Sequence, residues 1–376
     1  MPSIRRPLGA LALVAVLAGY IHAHAATGAA PIALSPAPAV VSTAAGLAAA
    51  QKAAPAGGVI LLAPGTYPNV VIANWAAPGV TIASADPAHR AVLPAAVIRQ
   101  SSGITLRDLD FPSLTDYGLN LVGDSDVTVV RPHVFSAVVA AASPAANTLS
   151  GVGVWGGRNI TVTGGDIHDV KMGLIGNTSD HVTISNNALH DIREHGVHFA
   201  QVTNLAVTGN SFSAFYPLNG PAPIGDHPDA IFLTTAGTKV ASAGITIADN
   251  AVIKGAGAVI QGIFIKDDAG GLPYAGLIVR NNLVIGDGYN ALAVNGATAP
   301  VLTLNRVYPY VANSSWERLQ NTTAASVTHE AAGQLIIDAT NARPVQSANS
   351  ALPVITPAQG ADLFAAWLAT HLLTPR

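Results

Sequence analysis

The sequence predicts an all-β chain wound into a solenoid, a parallel β-helix, and three observations predict it. The first is composition. Half of the residues are hydrophobic, Gly (36) and Pro (25) are frequent, and Met (2) is nearly absent. The apolar residues are mostly Ala, Val, Ile and Leu, which suits short strands and corners better than a Leu/Glu/Lys bundle. The second is self-similarity. "GITLRDLDF" (103–111), "DVTVVRPHVF" (126–135), "NITVTGGDIHDV" (159–170), "HVTISNNALHDI" (181–192), "NLAVTGNSFSAF" (204–215), "GITIADNAVIKG" (244–255) and "LIVRNNLVIGDG" (277–288) align with one another. Where it is tight the period is about 22 residues, as expected of a repeat architecture. The third is alternation. Each unit has a short apolar/polar strand, an Asn- or Gly-rich corner and a second short apolar segment.

The elements follow in chain order. Residues 1–26 read as an export signal, with Arg5 and Arg6, an apolar run from Leu8 to Leu17, and the small-x-small pattern Ala23-His24-Ala25. That run is shorter than the ~20 residues a membrane span needs. The mature chain is therefore expected to be periplasmic or secreted, with no stable membrane insertion. It has no cysteine, so thiolate catalysis and Cys-ligated metal are excluded. Net charge is -3, and no basic stretch follows the first residues, which excludes nucleic acid as a partner.

"VSTAAGLAAAQKAA" (41–54) predicts a short helix capped by Ser42 or Thr43, closing the open end of the first coil. The coils then run to about residue 310, so 27–310 reads as the β-helix domain with its N-terminal cap. A third strand recurs in them as "GVHFA" (196–200), "AIFLT" (230–234), "GIFIK" (262–266) and "ALAVN" (291–295). Strand alternation points Val197, Phe199, Ile231, Leu233, Ile263 and Ile265 inward, and His198, Phe232 and Phe264 outward. Asn187, Asn210, Asn250 and Asn282 recur at matching corners, where Asn tolerates the left-handed bend and stacks in ladders. Residues 311–376 read as less regular C-terminal coils and a second capping helix over 356–373, with Thr356 as cap and Pro357 in its first turn.

With its N-terminal helix, "GGVILLAPGTYPNVVI" (57–72) and Asn-cornered coils, the chain resembles the right-handed parallel β-helix proteins of the pectin-lyase-like superfamily over roughly residues 40–310. That superfamily includes polysaccharide lyases, glycoside hydrolases, uronan C5-epimerases, pectin esterases and tailspike depolymerases, so the fold alone does not choose an activity. The galacturonase-like hydrolases carry Gly-His-Gly and Arg-x-Lys. Here "EHG" (194–196) precedes "KDD" (266–268) and no Arg-x-Lys follows. Alginate epimerases carry Asp-Pro-His-Asp/Glu, whereas "DHPD" (226–229) has similar residues in another order. Pectin esterases use paired Asp with Gln and Arg, of which only Asp229 and Gln261 can be placed.

Six of the twelve histidines lie between residues 168 and 227, where the loops also enlarge. Stacking the third strands puts His195, Asp229 and Gln261 in one column, His198, Phe232 and Phe264 in the next, and Ala200, Thr234 and Lys266 in a third. Arg193 and His227 approach the same face. This constellation suits an acidic polysaccharide, alginate-like or pectate-like. Arg193 or Lys266 clamps the uronate carboxylate, and His195, His198 or His227 takes the C5 proton. Asp229 orients the histidine, while Tyr216, Phe232, Gln261, Tyr289 and His168 bind substrate. The expected reaction is β-elimination, with C5-epimerisation or a non-catalytic binding role as alternatives. The competing reading of each lone histidine is a surface or corner residue, as for His181 and His190, and "HPD" also suits a turn. No cofactor is required by this scheme. The paired carboxylates of Asp267 and Asp268 also suit Ca2+, which some lyases of the superfamily use to neutralise uronate, or are simply solvated, and both readings stay open.

Overall fold

The structure is a computed structural model that describes residues 39–218, 225–258 and 260–371. The expected export signal lies outside the described residues. Among the described residues, strands pair in parallel into two sheets of 23 and 12 strands. Each coil contributes two strand segments to the larger sheet and one to the smaller. In the tight coils, Met172–Ser185 pairs with His195–Thr208 in register from end to end, and Ala188–Ile192 pairs with Ser211–Phe215 on the second sheet. Short strands become stable this way because every backbone N–H and C=O finds a partner on the coil above or below.

Alternation runs as the sequence predicts. Val197, Phe199, Ile231, Leu233, Ile263 and Ile265 are fully buried in the interior, and His198, Phe232 and Phe264 face outward, half-buried. One apolar core runs the length of the solenoid, from Leu47 to Ala332.

The corner asparagines form a buried ladder. Asn187 donates through its backbone N–H and its side-chain amide to Asn210 Oδ1, both at 3.0 Å. Asn210 does the same to Asn250, Asn250 to Asn282, and Asn282 to Asn305. Each amide also caps a strand carbonyl, as Asn250 does at Val207. The left-handed bend, however, falls on the residue before each ladder asparagine: Asn186, Gly209, Asp249, Asn281 and Leu304 all have φ between 48° and 64°. The ladder asparagines are selected by buried hydrogen bonding, and the bend by their neighbours.

The next rung is an acid, Glu330, whose N–H donates in turn to Asn349 Oδ1 at 3.0 Å. Asn305 Nδ2 donates to Glu330 Oε1 at 3.2 Å, and Glu317 lies wholly buried beside it. Burial, then the Glu330 charge, pushes the Glu317 carboxyl well above its usual range. Burial likewise raises Glu330 to about 7.

The ends differ from each other. Helix α1 (Ala44–Ala53) is capped by Thr43, whose Oγ1 accepts from Gly46 N at 3.0 Å, and packs on the first strands as expected. The coils continue regularly past residue 310, to Ala351. Helix α2 (Pro357–His371) does not cap the last coil as predicted. It folds back on the outer face of the second sheet, where Trp367, Leu363 and Phe364 cover Ala251, Ile253, Leu283 and Ile285. Those outward positions are apolar, so a helix is needed to take them out of water.

Two outcomes follow. Asn250→Ala strands Asn210 N, Val207 O and two neighbouring amides inside the ladder, and at about 1–3 kcal/mol per buried unsatisfied group it should cost at least about 3 kcal/mol in urea unfolding. For the acid pair, the unfolded carboxyl titrates near its ordinary value of about 4.3 and folded Glu330 near 7. Its stabilisation is therefore full at low pH and is lost as pH rises toward 7. Glu330→Gln keeps the acceptor for Asn305, so it should raise the melting temperature at pH 8 and leave it nearly unchanged at pH 4.5.

Candidate functional site

The predicted columns exist. His195, Asp229 and Gln261 are register partners, as are His198, Phe232 and Phe264, and Ala200, Thr234 and Lys266. They lie on the outer face of the larger sheet. Phe232 and Phe264 stack at 5.7 Å. His198 lies 5.0 Å from Phe232, and His227 lies 5.5 Å from Phe264.

Asp229 is the hub. Its side chain is wholly buried, yet its Oδ2 accepts from His227 Nδ1 at 2.6 Å and lies 3.3 Å from His195 Nδ1. His227 is half-exposed. Gln261 Nε2 donates to His227 Nε2 at 3.0 Å, and Gln261 Oε1 accepts from Asn290 Nδ2 at 2.7 Å. A carboxylate can only accept, so His227 carries its hydrogen on Nδ1 and offers a lone pair at Nε2. The bond to Asp229 is the largest cause that raises the His227 pKa above 6.5. His198 moves the other way. Burial, then the nearby His195, lowers it to about 4, so it is neutral at pH 7. Its Nδ1, like Asp229 Oδ1, is buried without a hydrogen-bond partner.

Three residues of the groove are not anticipated from the sequence: Lys171, Glu194 and Asn290. Lys171 and Glu194 pair at 3.1 Å, and Glu194 Oε1 lies 3.7 Å from His195 Nε2. The signal was available: "KMGLIGN" (171–177) aligns one coil earlier with "EHGVHFA" (194–200), and Met172 is the register partner of His195. Asn290 was missed in the same way, at the start of the strand following Gln261.

Several expected roles are corrected. Arg193 does not present its guanidinium as a clamp. It is buried, forked onto Asp226 at 2.7 and 3.0 Å, with Nη1 donating to the Asn147 carbonyl. Asp226 also closes the base of its loop by accepting from Leu218 N. Burial opposes the charge on Asp226, but the Arg193 fork holds its carboxyl below the usual range. His168 lies on the other sheet, beside His133 and His190. Tyr216 follows a strand of that same sheet, and its hydroxyl is raised by burial and then by Asp191 and Asp169 rather than by groups of the groove. Lys266 is present at the groove but is paired with Asp268. Tyr289 is exposed one coil beyond Gln261, 5.3 Å from Trp316. Asp267 accepts from Thr235 and from the N–H groups of Gly270, Gly271 and Leu272, and Asp268 accepts from Thr234. Both carboxylates are thus spent on organising their loop. Among the described residues no group of three or more His, Asp or Glu is disposed to hold a metal ion, and no helix is long and apolar enough to cross a membrane.

Arg193 should therefore behave as a structural residue. Removing one partner of a buried ion pair costs about 3–5 kcal/mol, so Arg193→Ala should lower the urea midpoint by a corresponding amount. A loss under about 1 kcal/mol would mean that the fork is not formed.

Comparison with known proteins agrees with this architecture. Among solved structures, the chain is similar to a mannuronic acid-specific polysaccharide family 6 lyase from the human gut microbiota, with 10% identity, a TM-score of 0.53, and coverage of 89% of this chain and 95% of that one. It is also similar to DFA-IIIase from Arthrobacter chlorophenolicus A6 without its lid, with 12% identity, a TM-score of 0.52, and coverage of 80% and 89%. The A-module of the Azotobacter vinelandii mannuronan C-5 epimerase AlgE6 matches at 15% identity and a TM-score of 0.48, covering 84% and 97%. At these identities the likeness is one of fold. No curated protein matches the chain. Residues 94–307 match the family model described as "Right handed beta helix region", and with the stacked parallel coils described above the chain belongs to that family, with a pectin-lyase-like fold.

Proposed function

We propose that this protein is an exported enzyme that cleaves a uronic-acid-containing polysaccharide by β-elimination at the groove around Asp229. The observation that carries the reading is the Asp229–His227 pair, a buried carboxylate holding a half-exposed imidazole whose Nε2 lone pair is met at rest by Gln261 Nε2 and is released to substrate. Catalytic bases of this kind operate best with a pKa near the working pH, and the Asp229 bond moves His227 upward from 6.5. Phe232 and Phe264 give the apolar floor on which a pyranose ring stacks. The lyase and DFA-IIIase similarities in fold agree with a carbohydrate as substrate.

In this reading Lys171 and Lys266 sit opposite the uronate carboxylate. Their charges act on His198 and His227 respectively, so both flank the imidazoles. Neutralising the carboxylate makes the C5 proton acidic. His227 Nε2 takes that proton, the C5 electron pair forms the C4=C5 double bond, and the C4–O4 bond breaks. The leaving oxygen takes up a proton, for which the new imidazolium, held by Asp229, is the nearest donor. Neutral His198 stays beside the ring as a hydrogen-bonding group. We give neutralisation to the lysines, which are paired at rest with Glu194 and Asp268 and exchange those partners for the uronate carboxylate. C5-epimerisation is the second reading. It shares the proton abstraction, and it needs a second proton-carrying group near the ring, for which His198, like His227, lies within 6 Å of Phe232 (5.0 and 5.9 Å).

A panel of uronans decides between them. Elimination yields ultraviolet-absorbing unsaturated ends, epimerisation alters the uronate composition without cleavage, and no change in any polymer would contradict an enzymatic role. His227→Gln should lower kcat/KM by about 100-fold or more. The base must be neutral, so kcat/KM should rise with pH through a limb above 6.5. Asp229→Asn removes the main cause of the raised value and should move that limb to lower pH while reducing the plateau. A limb that stays in place in Asp229→Asn would remove His227 from the base role.

A further inference from the structure

We infer that the groove continues toward the N-terminal coils into a distal sugar-binding subsite over Gly153, where Asn120 and Trp155 take a hydroxyl and Arg99 takes a carboxylate of an acidic polysaccharide. Resting on the reading of the groove as uronan-binding, this subsite extends it along the solenoid. The outward column that holds His198, Phe232 and Phe264 runs on through Ile175 and Gly153 to Asn120. Gly153 therefore lies three coils from Phe232, about 14 Å along the same wall.

Gly153 sits in the middle of a strand and has no left-handed backbone to explain it. The space above it does. A β-carbon there would stand 2.7 Å from Asn120 Oδ1, 2.7 Å from Trp155 Nε1 and 3.2 Å from Tyr117 Cδ1. Glycine weakens a strand interior and marks a place where another group must come close. Here it lets an amide oxygen and an indole N–H converge over the sheet.

Neither group has a partner. Asn120 Oδ1 is buried without a hydrogen bond, and Trp155 Nε1 donates to no other group among the described residues. A buried acceptor left without a donor is costly, and native chains keep few of them. An amide oxygen only accepts and an indole N–H only donates. A hydroxyl does both, so one hydroxyl over Gly153 satisfies the pair. The half-buried Trp155 ring is met edge-on by Tyr117, at 6.1 Å and 65°. An aromatic ring beside such polar groups suits a sugar, which is apolar on its ring face and polar at its rim.

Charge identifies the class of sugar. At the centre of the groove each cation is paired at rest: Lys171 with Glu194, Lys266 with Asp268, and Arg193 with Asp226. Arg99 differs. It is exposed and has no carboxylate partner among the described residues. It shares an outward column with Val122 and Trp155, two coils from the indole. The wall thus offers an unpaired guanidinium, then an exposed valine, then the hydroxyl-binding pair. A guanidinium takes a carboxylate as a fork. Uronic-acid rings supply both carboxylates and hydroxyls, whereas a neutral glycan leaves Arg99 unused.

The test compares the full chain with Asn120→Leu, Trp155→Phe and Arg99→Gln on polymeric alginate and polygalacturonate. For the polymer that is turned over, each variant should raise KM about 10-fold and keep kcat, because contacts made alike in ground and transition states act on binding alone. The Arg99→Gln effect should fade at high salt, and the other two should persist. Asn120→Leu removes an unpartnered acceptor, so its melting temperature should not fall, and melting curves check the folding of all three. A KM unchanged in every variant, or a kcat lowered at unchanged KM, would overturn the subsite and leave the chemistry at Asp229 standing. If neither polymer is turned over, the proposed reaction fails and the subsite is judged by retardation in gels cast with each polymer. Retardation of the wild-type chain that weakens in all three variants supports it. Equal retardation of all four proteins, or none, overturns it.

Discussion

The vertical register between coils is the constraint on which the rest of this structure depends. A parallel ladder shifted by one residue would turn every side chain of a strand to the other face. Here the register is fixed twice. Inward Val, Ile, Leu and Phe fill one core, and the asparagine ladder ties the backbone of each corner to the side chain of the next coil. The ladder spans coils of very different length, since Asn210 and Asn250 are 40 residues apart and still bond as Asn187 and Asn210 do. Extra chain can therefore be accommodated between the strands Ser211–Phe215 and Asp229–Thr234, and at 235–243, without disturbing the register of the wall.

That rigidity makes a chain sparing with charge able to concentrate it. Asp229 sits wholly buried between His195 and His227, where a carboxylate is tolerated because the His227 Nδ1 hydrogen meets it. The same stack pulls two histidines of one site in opposite directions. His227 gains a carboxylate partner, whereas His198 meets burial and a neighbouring imidazole. Divergent proton affinities inside one groove are what acid–base chemistry needs. Arg193 and Asp226 neutralise each other and so add no free charge to the groove.

Much of this was legible in the sequence. Period and alternation gave the coils, the inward and outward residues, and the columns containing His195, His198, Asp229, Phe232, Gln261 and Lys266. Lateral relations were not legible. The repeat does not say which carboxylate takes up which cation, so the sequence alone leaves Arg193 looking like a free clamp. The coil of His168 is the neighbour of the groove's, but its strand belongs to the other sheet, which coil order alone does not reveal. The position of helix α2 in the chain suggests an end cap. The apolar outward residues Ile253 and Ile285, which hold it on the face of the second sheet, are visible only once outward and inward are known.

Histidine titration by nitrogen-15 NMR tests the central claim most directly, because it reads the groove without reference to any substrate. In the wild-type chain His227 should appear as the Nδ1–H tautomer and titrate above 6.5, and His198 should stay neutral down to about 4. If His198 and His227 instead titrated together as free histidines near 6.5, with mixed tautomers, the coils would not be bringing Asp229 and its neighbours together as described.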